Sequence, residues 1–305
     1  MTTLTTAVVF PGQGSQFVGM LSSYEHNETV RKIFHEASNV LGNDLWEIAQ
    51  KNPDNLLNQT EITQPILLTA SFALWKVAQE NKHLNPVVFA GHSLGEYTAL
   101  VCSEALSFKK GVEIVSKRGK YMQEAVPPGK GSMAAIVGLS QESVDKVCMT
   151  SAHNRIVSSA NINSPEQIVI AGETEAVLEA MELAKQSGAK LVKKLEVSVP
   201  SHCLLMKSAA KKMQVLLDEC ELLLPKIPVV QNADAKESQN ISDIKDGLVR
   251  QLYSPVRWVE SVKYIIQRYQ PQQLIECGPG KILTGLNKRI LNNQEAISLA
   301  FEEIK

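Results

Sequence analysis

The chain of 305 residues carries only five cysteines, at positions 102, 148, 203, 220 and 277. No pair has C-x-x-C spacing and the number is odd, so neither a zinc site nor a disulfide framework is indicated. A reducing cytoplasm fits that usage. Neither charge dominates: 31 Lys and Arg stand against 32 Asp and Glu, a formal net charge of −1. That balance gives no sign of a nucleic-acid or membrane-surface partner, and the basic runs Lys109-Lys110 and Lys193-Lys194 are short enough to be solvated faces. An anionic substrate would have to be met by one or two placed cations. No apolar run approaches the length of a membrane span, and the start, Met1-Thr-Thr-Leu-Thr-Thr6, lacks the basic and apolar regions of a signal peptide. Internal repeats and low-complexity tracts are missing too. What remains is 44% apolar and 21% charged residues, an ordinary globular balance on a chain long enough to bury a sizeable core. These features predict a soluble, cytoplasmic protein.

Short apolar runs alternate with helical stretches. Residues 7–10 stop at Pro11-Gly12 and read as a buried strand entering a turn. Residues 30–40 and an amphipathic run over 65–79 read as helices. Residues 86–90 read as a second buried strand, leading into Gly91-His92-Ser93-Leu94-Gly95, with a helix over 96–102. This alternation predicts an α/β fold with a mainly parallel sheet. The Pro/Gly cluster at 126–131 marks a linker. Beyond it, strands at 133–137, 156–160, 167–171 and 190–195 and helices at 141–149 and 173–187 follow the β-α-β-β-α-β order of a ferredoxin-like unit. The chain then returns to the main body, with a helix over 203–220 and strands at 227–230 and 273–276. The predicted division is a core of residues 1–127 and 197–305 with an inserted subdomain of residues 128–196.

Gly91-His92-Ser93-Leu94-Gly95 matches G-x-S-x-G between a strand and a helix. A sharp turn there strains the serine, exposes its hydroxyl, and directs the next amide, that of Leu94, toward the same spot. The plain alternative is a glycine-rich turn whose serine caps the helix; the strand-to-helix context favours a nucleophile. A serine hydroxyl needs a base. Of six histidines, His26, His35 and His83 read as surface residues and His153 falls in the subdomain. His92 adjoins the serine, but neighbouring side chains on an elbow diverge, so it reads as a packing or locally bonded residue. His202, which follows a strand-like segment and a proline, is the leading candidate. The loop Pro11-Gly12-Gln13-Gly14-Ser15-Gln16 lacks a P-loop lysine and reads alone as an ordinary turn, although its glycines allow close backbone approach.

Taken together, the segments resemble the malonyl-CoA:acyl carrier protein transacylases of bacterial type II fatty-acid synthesis. The resemblance rests on Phe10–Gln16, Thr63-Gln64-Pro65, Gly91–Glu96, Lys117-Arg118-Gly119, Met133–Ile136, Asn161–Pro165, Val199–His202, Gln251-Leu252, Ser254–Trp258 and Glu276–Gly280, in that order along nearly the whole chain. It implies an α/β-hydrolase-like core in which Ser93 takes the malonyl group as an ester and His202 acts as base and then acid. It further implies that the main-chain carbonyl of Gln251 orients His202 in place of an acid. The amides of Gln13 and Leu94 would form the oxyanion hole. Arg118 would grip the malonyl carboxylate through its planar, bidentate guanidinium. Gln64, Met122 and Asn161 would support or line the pocket. The implied partners are malonyl-CoA and holo acyl carrier protein, with no cofactor or metal and with the chain acting as a monomer.

Two other functions share these features. A serine esterase or thioesterase would use the same elbow, although it usually adds an acid and needs no arginine. A trans-acting polyketide acyltransferase would keep every residue and change only its carrier. A non-catalytic binding module is disfavoured by the intact serine, histidine and arginine.

Overall fold

The computed structural model describes residues 4–81, 84–197, 199–292 and 296–304; His83 and Ser198 lie outside them. Along the chain come β1 (Thr5–Phe10), α1 (Glu28–Leu41), α2 (Leu45–Lys51), α3 (Thr60–Asn81), β2 (Asn85–Gly91), α4 (Leu94–Cys102) and α5 (Phe108–Ala125). Next are β3 (Gly131–Val137), α6 (Gln141–Ala152), β4 (Val157–Ser164), β5 (Gln167–Glu173), α7 (Thr174–Gln186) and β6 (Leu191–Lys194). The remainder holds α8 (Lys207–Asp218), β7 (Val229–Val230), α9 (Ile241–Gln251), α10 (Trp258–Tyr269), β8 (Gln273–Glu276), α11 (Ile282–Leu291) and β9 (Ile297–Ala300).

Five strands form a parallel sheet in the order β7-β2-β1-β8-β9. Both faces are covered, which is why residues 7–10 of β1 are apolar without interruption. Alternate residues serve opposite cores. Val8 and Phe10 pack with α1, α3, α4, α5 and α8, whereas Ala7 and Val9 pack toward α10, α11 and the second sheet. That second sheet is antiparallel, in the order β4-β5-β3-β6. Order and direction are those of a ferredoxin-like unit. Its two crossings to the rest of the chain run side by side, since a Cβ on Gly131 would lie 2.3 Å from the Pro200 ring. The units also meet through β4: Val256 N–H donates to Ala160 O at 2.9 Å, and Ile162 N–H donates to Val256 O at 2.9 Å.

The structure moves several expected boundaries. Helix α3 begins at Thr60 rather than residue 65, taking Pro65 into its interior, and is buried around most of its circumference rather than on one stripe. Thr63 Oγ1 bonds the carbonyls of Leu57 and Gln59, anchoring the first turn where Pro65 offers no N–H. The expected helix at 203–220 opens as a 3₁₀ turn, Leu204–Met206, before α8. Strand β7 has only two residues, because Pro228 before it cannot donate to a ladder. Strand β4 starts one residue later than expected and runs on to Ser164, where it meets Gln167 of β5. Helices α2, α9, α10 and α11 and strand β9 are further elements beyond the sequence reading. Among the described residues no helix is long and apolar enough to cross a membrane.

Candidate active site

The parallel strands deliver the chemistry at their carboxyl ends. Strand β2 ends at Gly91 and α4 begins at Leu94, so Ser93 must turn the chain between them. It does so at φ 53°, ψ −107°, a positive-φ conformation unusual for a residue with a side chain. The flanking glycines are sterically required. A Cβ on Gly91 would lie 1.8 Å from the Gly95 carbonyl carbon, and one on Gly95 would lie 2.0 Å from Phe10 O. Asn232, just beyond β7, clamps the turn: its Nδ2 donates to Gly91 O at 2.6 Å and its Oδ1 accepts from Ser93 N–H at 2.7 Å.

His202 also has a positive φ, 62°, with its N–H donating to Leu252 O at 3.0 Å. Its Nε2 lies 2.8 Å from Ser93 Oγ, and its Nδ1 lies 2.7 Å from the main-chain oxygen of Gln251. A carbonyl can only accept, so the ring proton belongs on Nδ1 and the Nε2 lone pair faces the serine hydroxyl. Burial, with the charge of Arg118 second, pushes the imidazole down to about 3; the Gln251 carbonyl pulls the other way.

Arg118 projects from α5 and is buried. Its Nη1 donates to Gln64 Oε1 at 2.8 Å, and its Nη2 donates to Gln251 Oε1 at 2.9 Å and Ser93 Oγ at 3.2 Å. Among the described residues no carboxylate lies within ion-pair distance of it, and its Nε is unpartnered. Desolvation lowers its pKa, yet guanidinium stays charged in proteins. A buried cation with neutral partners, beside a serine oxygen, is poised for an anion.

Gln13, Gln64, Ser93, Leu94, Arg118, Met122, Asn161 and His202 all line one cleft. Gln251 stands behind it, joined to His202 and Arg118. Gln64 Nε2 reaches Met122 Sδ at 3.7 Å, fixing that wall. Leu94 N–H belongs to the first turn of α4, where main-chain donors have no partner inside the helix. The Gln13 loop is pressed onto the elbow, since a Cβ on Gly12 would lie 2.4 Å from His92 O. From the antiparallel unit come Met133, Asn161 and Leu195.

Of the other described histidines, His92 borders the cleft and three stand apart from it. His26, His35 and His153 are exposed, and His153 bonds Glu179 at 2.8 Å. His92 reaches beyond its own turn: its Nε2 lies 2.8 Å from Asn163 Oδ1 on β4, and its ring lies 5.6 Å from that of Trp258.

Sequence reasoning missed Asn232, Asn163 and Glu96. Glu96 is fully buried on α4, accepting from Asn232 N–H at 2.9 Å, Gln251 Nε2 at 2.8 Å and Gln231 Nε2 at 3.4 Å. Desolvation pushes its carboxyl up to about 7. The only signal for it was an acidic residue in an otherwise apolar helix.

Residues 7–300 match the family model described as the acyl transferase domain. The chain belongs to the acyl transferase family. This acyltransferase is 51% identical to the malonyl CoA-acyl carrier protein transacylase of Salmonella typhimurium over 96% of its length and 95% of the relative's. It is 42% identical to the protein of that name from Bacillus subtilis, over 98% and 97%. Among solved structures, an acyl carrier protein S-malonyltransferase from Vibrio cholerae superposes with a TM-score of 0.93 at 50% identity, over 97% of this chain and 96% of that one. A malonyl-transacylase in complex with its type II PKS acyl-carrier protein gives 0.94 at 51% identity, over 97% and 95%. Among the described residues, no group of three or more His, Cys, Asp or Glu is placed to hold a metal ion.

Proposed function

We propose that this acyltransferase moves a malonyl group from malonyl-CoA to the phosphopantetheine thiol of an acyl carrier protein, through an ester on Ser93. The observation that carries the reading is Arg118: a buried guanidinium, bonded only to neutral acceptors, 3.2 Å from the oxygen that would be acylated. A malonyl group has a free carboxylate that an acetyl group lacks, and this cation is placed to hold it while the thioester end meets Ser93. The names of the relatives agree.

In the first half-reaction the Ser93 O–H proton passes to His202 Nε2 as Oγ attacks the thioester carbonyl. The resulting oxyanion sits against the N–H groups of Gln13 and Leu94. Its collapse breaks the C–S bond, and the imidazolium returns its proton to the CoA sulfur. In the second half the carrier thiol gives its proton to His202 and attacks the ester, and Ser93 leaves with that proton. The Gln251 carbonyl orients the imidazole throughout, a dyad with no acid. This arrangement favours transfer over an esterase reading, in which an acid is usual. The reaction draws on its two substrates alone, without a resident cofactor.

The core of residues 1–127 and 197–305 and the subdomain of residues 128–196 bound the cleft, which would keep water from the ester. We further propose that the protein acts as a monomer in the cytoplasm; one chain can supply every side chain in this scheme. The similarity to a transacylase of a polyketide system keeps a polyketide carrier as a second reading of the acceptor. Incubation with radiolabelled malonyl-CoA tests the intermediate: wild type should retain label through denaturation and Ser93→Ala should retain none. Label persisting on Ser93→Ala would contradict the assignment.

A further inference from the structure

Arg118 and His202 sit on different parts of the chain, yet both rest on Gln251. Its main-chain oxygen takes the His202 Nδ1 proton, and its side-chain Oε1 takes a proton from Arg118 Nη2. The second contact requires the amide to face one way. The two ends of an amide are nearly equal in size, so shape does not choose between them; partners do.

The other end of this amide is held by two acceptors. Nε2 donates to Ser93 O at 3.0 Å and to Glu96 Oε2 at 2.8 Å. Glu96 is itself surrounded by donors, the Asn232 N–H and Gln231 Nε2 as well as Gln251. Turning the Gln251 amide over would aim its NH₂ at a guanidinium and its oxygen at a carboxyl oxygen and a carbonyl. Every one of those contacts would be repulsive.

Building on the malonyl-transfer reading, we infer that Glu96 is a positioning residue for substrate selection: its carboxyl group locks the Gln251 amide so that Oε1 seats Arg118 toward the acyl carboxylate. The base is oriented by the Gln251 main-chain oxygen, which this lock does not set, and the nucleophile's Oγ bonds that base directly. Loss of the lock therefore affects a substrate with a carboxylate more than one without.

The test is the single-turnover rate of Ser93 acylation by malonyl-CoA and by acetyl-CoA, with thermal melting as a check on folding. Glu96→Asp keeps the acid but withdraws it by one methylene; Glu96→Gln removes the charge but leaves an oxygen where Oε2 was. The malonyl-to-acetyl ratio should fall about tenfold in Glu96→Asp, the scale of one lost bond to a charged group. It should stay within about threefold of wild type in Glu96→Gln. In a Gln251→Leu background, Glu96→Asp should change the ratio no further, as expected for groups acting in series.

Malonyl and acetyl rates falling in parallel, or an unchanged effect of Glu96→Asp in the Gln251→Leu background, would overturn the inference and leave Glu96 a structural residue. Wild type with no preference for malonyl-CoA would contradict the functional reading and take this inference with it. A wild type that prefers malonyl-CoA beside a Glu96→Asp variant that keeps the preference overturns the inference alone.

Discussion

Arg118 is held by three neutral oxygens, those of Gln64, Gln251 and Ser93, so its charge is balanced by no direct ion pair. In the proposed reaction the malonyl carboxylate completes that balance. Removing the guanidinium would leave a buried carboxylate unpaired, at about 3–5 kcal/mol, roughly two to three orders of magnitude in rate or more. Arg118→Ala should lose malonyl labelling on that scale while acetyl labelling falls far less, which parallel labelling with the two thioesters measures. The base gives a second residue-scale expectation. His202 works unprotonated, and its value in the folded protein is about 3 against an ordinary 6.5. The rising acid limb of kcat/KM for malonyl-CoA should therefore lie well below pH 6.5; an inflection at 6.5 would contradict the geometry. In stability the same shift is full above 6.5 and is lost as pH falls toward 3, because the unfolded chain takes up the proton first. Glu96 runs the other way, from 4.5 to about 7, its contribution full below 4.5 and lost as pH rises through 7. At this scale Ser93 was legible because its motif is local, and His202 because few histidines stood at an ordered strand end. Of their partners, Gln251 came only through the family resemblance and Asn232 was missed: they lie 158 and 139 residues from the serine they bond, and no local pattern marks such a pair.

The elbow is a property of elements rather than of one residue. Strand β2 and helix α4 meet at so sharp an angle that Gly95 backs onto Phe10 of β1, with no room for a side-chain carbon. Gly95→Ala should move either β1 or α4, costing about 1–3 kcal/mol of stability as overpacking does. A lower denaturant midpoint with an unchanged m-value, together with weaker Ser93 labelling, is the expected result. Elements with a uniform pattern and ordinary punctuation were readable: β1, β2, and the strands and helices of the antiparallel unit. Helix α3 was misplaced because a proline in its interior reads as a boundary, whereas here Thr63 anchors the turn before it, its side chain bonding the carbonyls of Leu57 and Gln59. Helix α11 contains Gly285, and its N-cap residue Lys281 offers no side-chain bond; the first-turn N–H groups of Leu283 and Thr284 donate to Glu276 of β8 instead. It is held by tertiary contacts that propensity cannot reveal, among them Trp258 Nε1 to Asn287 Oδ1 at 3.0 Å.

Across the whole molecule, the ferredoxin-like unit was recoverable because its four strands are consecutive in the chain and form a sheet of their own. The order of the parallel sheet was not, since β1 takes β8 from the far end of the chain as a neighbour. Parallel pairing of β2 with β1 and with β7 places the carboxyl ends of these three strands together, and with them the loop of Gln13, the elbow of Ser93 and the clamp of Asn232. The antiparallel unit is fastened over this edge by the pairing of β4 with Val256 and by His92 to Asn163, giving the cleft its second wall. Such a cleft should retain an acyl ester until a carrier thiol reaches it. The direct test is a chase: isolate the protein carrying labelled malonate on Ser93, add holo acyl carrier protein, and follow where the label goes. Label passing from Ser93 to the carrier thiol, faster than it appears as free malonate, is the predicted result. Label released as malonate at the same rate with or without the carrier would contradict a transferase and identify a hydrolase.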